Sequence, residues 1–357
     1  MLYRRFGTTG VEVSSQCLGA MTFGKMGDTD PDDCVRIVER ALDAGINFID
    51  TADVYSGGQS EEIVGRAVRT RREQVVLATK CYYPMGGDRN EQGSSRRWIV
   101  RAVEASLRRL GTDYIDLYQV HKPDWHTAPE ETLGALSDLV RQGKVLYLGS
   151  SSFPADRIVE AQWAAQRRST ERFVCEQPQY SIFARSIETS ILPACQRHRM
   201  SVIAWSPLAG GWLTGKYRRG EQPPAGSRFD PDGLFMSGRT VTTVAERSDP
   251  VRFDAVDALR QIADQAGLTL TELALAFVSS HPAITSTIIG PRTMGHLDDA
   301  LKASDVELAP DVLDAIDRVV PPGTDMPGID HYLQPPSLEP EARRRPTGQR
   351  TELTRRT

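Results

Sequence analysis

Residues 46–80 read INFIDTADVYSGGQSEEIVGRAVRTRREQVVLATK. Two short apolar runs, 46–50 and 75–80, flank a segment, 60–69, whose residues Ile63, Val64, Ala67 and Val68 recur at helical spacing. The order is strand, helix, strand. The unit recurs along the chain. Further strand candidates occupy 14–19, 114–120, 145–150, 172–177, 201–206 and 285–290, and helix candidates occupy 33–44, 95–110, 130–142, 155–168 and 186–198. About eight strands joined through helices predict an α/β fold, a (β/α)8 TIM barrel with right-handed crossovers. Parallel strands covered on both faces read as continuous apolar runs, as these do. An open doubly wound sheet is the competing architecture, but its GxGxxG after the first strand is absent.

The composition fits such a domain. The chain has 357 residues, 39% hydrophobic and 25% charged, with a formal net charge of −4. That balance gives no general reason to bind nucleic acid. No apolar run reaches the roughly 20 residues that span a bilayer, and MLYRRFGTTG lacks the apolar core of a secretion signal. Cys17, Cys34, Cys81, Cys175 and Cys195 are odd in number and lack CxxC spacing. A disulfide framework or zinc knuckle is therefore not expected, and a reducing cytoplasm is.

Three regions depart from the repeat. YRRFGTTGVEVS near the start reads as a hairpin expected to plug one barrel end. Residues 207–250, rich in Gly, Pro and charge, read as one long loop after the seventh strand. Residues 321–357 form a C-terminal extension, whose first part is expected to cover the barrel mouth. One barrel domain over 1–334 and a flexible basic tail over 335–357 are expected.

Chemistry in such barrels sits at the C-terminal ends of the strands. Those ends carry Asp50, Lys80, His121, Ser150 to Ser152, Glu176, Gln177, Trp205, Ser206 and Gly290. Tyr55 follows Asp50 in a short loop. A phenol has a pKa near 10; a neighbouring ammonium lowers it, and a carboxylate keeps that ammonium charged and in place. An imidazole can orient a substrate oxygen. Together these would make a tuned proton donor for a carbonyl oxygen. On spacing alone, a plain Asp50–Lys80 ion pair with Tyr55 as a surface aromatic stands equally well.

GINFIDTADVYSGGQSEEIVG, LATK, the His closing DLYQVH, LGSSSF, CEQPQY, AWSPLAGGWLTGKY and IIGPRT occur in this order over residues 1–320. This series resembles the aldo-keto reductases. The resemblance implies a barrel that binds NADPH without a Rossmann motif, and a catalytic tetrad of Asp50, Tyr55, Lys80 and His121. Channel-associated β subunits of the superfamily commonly lack that His.

The resemblance also implies the cofactor contacts. Ser151, Ser152 and Gln177 match the group that grips the nicotinamide carboxamide, with Ser152 in place of the usual Asn. Trp205 matches the aromatic that stacks on the ring. Ser206, Leu208, Gly210, Lys216 and Arg228 match the pyrophosphate loop. Arg292, His296 and Asp299 match the 2′-phosphate and adenine segment, and Gly19, Met21 and Gly290 line the same cleft. Arg292 suits a phosphate, being planar and always charged, and it lies where a strand gives way to a helix. Ala300 stands where an adenine-reading Asn is usual.

Other signals are set aside. GGWLTGKY lacks the Ser or Thr that completes a P-loop. His121 and His126 have no third ligand nearby, so no metal is expected. Cys81 reads as an inert buried thiol more readily than as a sensor. Phe23, Met26, Tyr82, Tyr83 and Trp125 lie just beyond strand ends and are candidates for the substrate pocket. The leading expectation is a cytoplasmic NADPH-dependent reductase of an aldehyde or ketone, most similar in style to bacterial members of the family. One alternative is a nucleotide-linked deoxysugar enoyl or keto reductase using Arg89, Arg96 and Arg97 as a phosphate site. The other is a low-turnover NADPH-binding regulatory protein. Oligomeric state is not legible.

Overall fold

The computed structural model describes residues 1–27, 29–230, 250–327 and 336. A two-stranded hairpin, β1 (Tyr3–Arg5) with antiparallel β2 (Glu12–Ser14), precedes a closed parallel barrel. The barrel strands are β3 (Gln16–Gly19), β4 (Phe48–Asp50), β5 (Val76–Cys81), β6 (Ile115–Val120), β7 (Val145–Ser151), β8 (Phe173–Gln177), β9 (Ser201–Ala204) and β10 (Ser286–Ile289). β10 pairs with both β9 and β3, which closes the ring. The (β/α)8 architecture is thus the observed one.

Crossover helices cover the outside: α1 (Pro31–Asp43), α2 (Gln59–Val68), α3 (Arg96–Leu110), α4 (Pro129–Arg141) and α5 (Ala155–Arg168). Each buries one apolar stripe; in α1 it is Cys34, Ile37, Val38, Ala41 and Leu42. Caps fix several starts. Asp30 accepts from Asp32 N and Asp33 N, and Pro31 sits where its missing N–H costs nothing. The single helix expected over 186–198 is instead a 3-10 turn (Ser186–Thr189) followed by α6 (Ile191–Arg197). Ser190, at φ −144°, breaks the run.

Between β9 and β10 the chain forms a 3-10 segment (Ala209–Thr214), α7 (Pro250–Gln265) and α8 (Leu270–Ser280). The loop expected over 207–250 thus begins with a 3-10 segment, and 231–249 lies outside the described residues. α9 (Met294–Lys302) and α10 (Pro310–Val319) follow β10. Of the expected mouth-covering segment, residues up to 327 are described: Met326 N donates to Phe183 O, and Asp325 Oδ1 accepts from Arg185 N and Ser186 N. The tail expected over 335–357 lies outside the described residues, apart from residue 336.

Side chains alternate inward and outward along each strand. Cys17, Phe48, Ala78, Leu117, Cys175, Ile203 and Ile288 form a buried apolar cluster inside the barrel. Phe6 and Val13 of the hairpin join it, with the Phe6 ring 5.8 Å from Phe48, so the hairpin plugs this end. Two residues further along the same strands come Asp50, Lys80, Gln119, Gln177 and Trp205. The apolar layer is the floor on which this polar layer stands. No helix among the described residues is long and apolar enough to cross a membrane.

Candidate active site

The polar layer is built around one buried ion pair. Lys80 Nζ donates to Asp50 Oδ2 at 2.5 Å, to Thr51 O at 2.9 Å and to Tyr55 OH at 3.3 Å. Lys80 is fully buried and Asp50 nearly so. Burial disfavours the Lys80 charge, but Asp50 and Tyr55 outweigh it and its pKa is raised. Removing one partner from a buried pair typically costs about 3–5 kcal/mol, because the other charge is stranded. The pair's role is to hold an ammonium beside the phenol.

Tyr55 reaches this position because the chain turns sharply after β4. Residues 55–58 form a 3-10 turn, with Gly58 at φ 99°. A Cβ there would also lie 2.7 Å from Arg109 Cδ, so both backbone and space require glycine. Ser56 Oγ donates to Phe23 O at 2.7 Å and accepts from Met26 N at 2.9 Å, which ties the turn to the loop after β3.

One expectation needs correction. Lys80 does act to lower the Tyr55 pKa, but burial acts more strongly in the opposite sense and the net shift is upward. Burial of this degree cannot be read from spacing. The phenol is thus held protonated rather than poised to ionise. His121 lies beside it, with ring centroids 5.7 Å apart at 80°, and the Tyr83 ring lies 4.9 Å from that of His121. Burial, Lys80 and Lys122 push the His121 pKa well down, so the imidazole is neutral. Its buried Nδ1 has no hydrogen-bond partner among the described residues.

The remaining strand ends surround this group. Gln177 Nε2 donates to Asp50 Oδ1 at 2.8 Å. Ser151 Oγ donates to Gln177 O at 2.9 Å, and Ser152 N donates to the same carbonyl at 3.1 Å. Ser152 and Ser206 adopt left-handed φ angles of 57° and 61°. Such strain costs on the order of 1 kcal/mol and gathers at functional sites. Trp205 is half-buried above the apolar layer, with Lys122 Nζ 5.9 Å from its ring.

A basic group lies beside the mouth. Burial lowers the Lys216 pKa, and Arg292 and Arg228 lower it further. Burial, Arg292 and Lys216 likewise lower that of His296, whose N–H is capped by Thr293 Oγ1 at the start of α9. Arg292 and Arg228 thus lie within electrostatic reach of Lys216, and the His296 imidazole beside them is neutral. Asp299 is exposed and paired with Lys302 at 2.8 Å. Ala300 is buried, and its carbonyl accepts from Gln16 Nε2. A Cβ on Gly19 would meet Ile288 Cγ2 at 2.5 Å, so Gly19 serves close strand packing, while Gly290 is open and Met21 half-buried. Leu208 and Gly210 lie at the 3-10 segment that follows β9.

Other candidates fall outside the cluster. Arg96 Nη1 pairs with Asp138 at 2.6 Å, and its N–H donates to Glu131. Burial pushes the Cys81 thiol up, and all five cysteines are buried and free. No group of three potential metal ligands occurs among the described residues. Sequence reasoning missed Gln119, which the structure places inside the polar layer.

Comparison with known proteins agrees with this geometry. The aldo/keto reductase family model matches residues 16–321. A probable voltage-gated potassium channel subunit beta of Arabidopsis thaliana is 38% identical over 90% of this chain and 97% of its own length. The uncharacterized oxidoreductase YrpG of Bacillus subtilis is 38% identical over 92% and 98%. A versiconal hemiacetal acetate reductase of Aspergillus parasiticus is 33% identical over 92% and 99%. With its closed barrel, its Asp50–Lys80–Tyr55 group at the strand ends and a family match over most of its length, the chain belongs to the aldo/keto reductase family of oxidoreductases.

Proposed function

We propose that this chain is an NADPH-dependent reductase of aldehydes or ketones, with Tyr55 as proton donor. The observation that carries the reading is a protonated, half-buried phenol 3.3 Å from a charged lysine and packed against a neutral histidine. NADPH, when bound, supplies the hydride for the carbonyl carbon. Tyr55 gives its proton to the oxygen as charge develops there. Lys80 stabilises the phenolate left behind, Asp50 holds Lys80, and His121 orients the oxygen.

The residues present fit the cofactor. Gln177, Ser151 and Ser152 offer polar groups at the mouth, and Trp205 offers a flat face beside them. Lys216, Arg228 and Arg292 form a basic group that an anion would relieve, with the neutral His296 imidazole beside it as a hydrogen-bonding partner. We assign the pyrophosphate to Ser206, Leu208, Gly210, Lys216 and Arg228, and the 2′-phosphate to Arg292 with His296. Asp299, Gly19, Met21 and Gly290 line the cleft at longer range. Arg292→Ala is expected to weaken NADPH binding about 10- to 100-fold, the worth of hydrogen bonds to a charged group, and to leave NADH binding unchanged. Titration of tryptophan fluorescence measures both; equal losses for the two cofactors would remove Arg292 from the 2′-phosphate site.

The substrate reading is a general carbonyl reductase. Tyr82 and Tyr83 stack edge-to-face at 5.6 Å and continue the aromatic wall from His121 toward solvent. That wall suits planar or apolar carbonyls. A nucleotide-sugar substrate is less well served, because Arg96 is committed to Asp138. The relative named as a channel subunit raises a second reading, a cofactor-binding regulatory subunit. His121 beside Tyr55 favours turnover instead. Stopped-flow oxidation of bound NADPH by methylglyoxal or 4-nitrobenzaldehyde tests the choice. Rapid oxidation supports the enzyme; tight binding with only spontaneous decay supports the regulatory subunit.

A further inference from the structure

Gln119 occupies the inward position of β6 one layer above Leu117, in register with Lys80 of β5 and Gly149 of β7. It is fully buried. Its Nε2 donates to Asp50 Oδ1 at 3.1 Å, and its Oε1 accepts from Gln177 Nε2 at 3.2 Å. Gln177 Nε2 donates to the same Asp50 oxygen at 2.8 Å. The three side chains close a triangle.

The chemistry of the triangle fixes its orientation. A carboxylate only accepts, so the atom that each glutamine turns to Asp50 is its nitrogen. Gln119 then has its oxygen toward Gln177, which takes the second Gln177 hydrogen. Both hydrogens of the Gln177 amide are thereby committed. Its carbonyl oxygen is the polar atom left for a ligand, and that oxygen can only accept. Space for this arrangement comes from Gly149, where a Cβ would lie 2.9 Å from Gln119 Cγ and 3.2 Å from Leu117 Cδ1.

We propose that Gln119 is a positioning residue: by locking the Gln177 amide it makes that subsite accept an N–H donor, and it links the subsite to the carboxylate that holds Lys80. The ligand chemistry selected is a primary carboxamide. The inference rests on the reading that the chain binds NADPH. Gln119 touches no reacting atom; it acts through Gln177 and Asp50.

The test compares NADP with its 3-acetylpyridine analogue, which keeps the carbonyl and lacks the N–H. Fluorescence titration gives a binding preference that does not depend on turnover. The wild-type chain is expected to prefer NADP. Gln119→Met, unbranched and of similar volume, is expected to shrink that preference about 3- to 10-fold, the worth of one hydrogen bond. It should also lower kcat while leaving the carbonyl KM unchanged. Gly149→Ala crowds Gln119 without removing it, and is expected to shrink the preference in the same sense. If Gln119→Met does not fold, Gly149→Ala carries the test alone. An unchanged preference in the folded variants, with only a lower melting temperature, would overturn the inference and leave the cofactor reading intact. Failure of the wild-type chain to bind either nucleotide would overturn the cofactor reading itself, and this inference with it.

Discussion

Tyr55→Phe is expected to lower kcat for carbonyl reduction about 10²- to 10⁴-fold, the usual worth of a positioned general acid. This corresponds to about 3–5 kcal/mol of barrier. The variant deletes one hydroxyl and keeps the ring, so the packing against His121 survives. Lys80 retains Asp50 and the Thr51 carbonyl as partners. NADPH affinity should therefore remain near that of the wild-type chain. The pH dependence of the wild-type enzyme adds a second readout. Burial raises the phenol above its ordinary pKa of about 10. Tyr55 thus stays protonated across pH 6 to 9, and its ionisation should cause no loss of reductive kcat in that range. A phenol lowered toward neutrality would instead show a falling limb between pH 7 and 9. Steady-state kinetics of both chains across this range decide the matter; near wild-type turnover in the Phe variant would remove Tyr55 as the donor.

The barrel was legible because parallel strands leave a strong trace. Each is buried on both sides, so 75–80, 114–120 and 145–150 stand out as apolar runs between amphipathic helices. α8 leaves no such trace. Leu270, Leu273, Ala274, Leu275, Ala276, Phe277 and Val278 are all buried, so its sequence shows no stripe to recognise. Asp50, Lys80 and His121 were legible as polar residues closing apolar runs, and Tyr55 as the aromatic of the short loop after Asp50; the family resemblance joined the four. Gln119 was not, because it lies inside its run, two residues before His121, and looks like a polar interruption. Its inward direction follows only from alternation along β6 above Leu117, which needs the register of the closed barrel. The sign of the Tyr55 shift was hidden for a related reason. Spacing suggests a neighbour such as Lys80, but not how much solvent the surrounding wall removes.

That same removal of solvent sets the second large effect, at Asp53. This residue lies between Asp50 and Tyr55 and is fully buried. No side chain among the described residues hydrogen-bonds either carboxyl oxygen; the backbone N–H of Val54 is its polar neighbour. Its neighbour Glu61 is committed elsewhere, accepting from Arg109 Nε and from Thr79 Oγ1 at 2.6 Å each. Burial first, and the Glu61 charge second, push the Asp53 pKa up to about 8 against the opposing pull of Arg109, the Val54 backbone N–H and Lys80. The folded chain therefore holds a proton that the unfolded chain loses near pH 4. Between about pH 4 and 8 the folded state binds more protons, so this group's contribution to stability falls as pH rises. Above pH 8 the buried charge is present, and Arg109, the Val54 N–H and Lys80 offset its burial only in part. Asp53→Asn keeps the shape and removes the titration. The variant should match the wild-type chain near pH 4 and gain on it steadily, reaching about 3–5 kcal/mol near pH 9. Glu176, raised to about 7 mainly by burial, remains in both chains and leaves a shared downward slope. Chemical denaturation at pH 5, 7 and 9 separates the two. A stability difference that grows with pH identifies Asp53 as the protonated group, and a constant difference would return it to ordinary ionisation. The gain has a functional side, because Asp53 N donates to Lys80 O beside the turn that carries Tyr55. Relief of the buried charge should therefore stiffen the segment between Asp50 and Tyr55, and the Asn variant is expected to retain its reductive rate to higher temperature at pH 9.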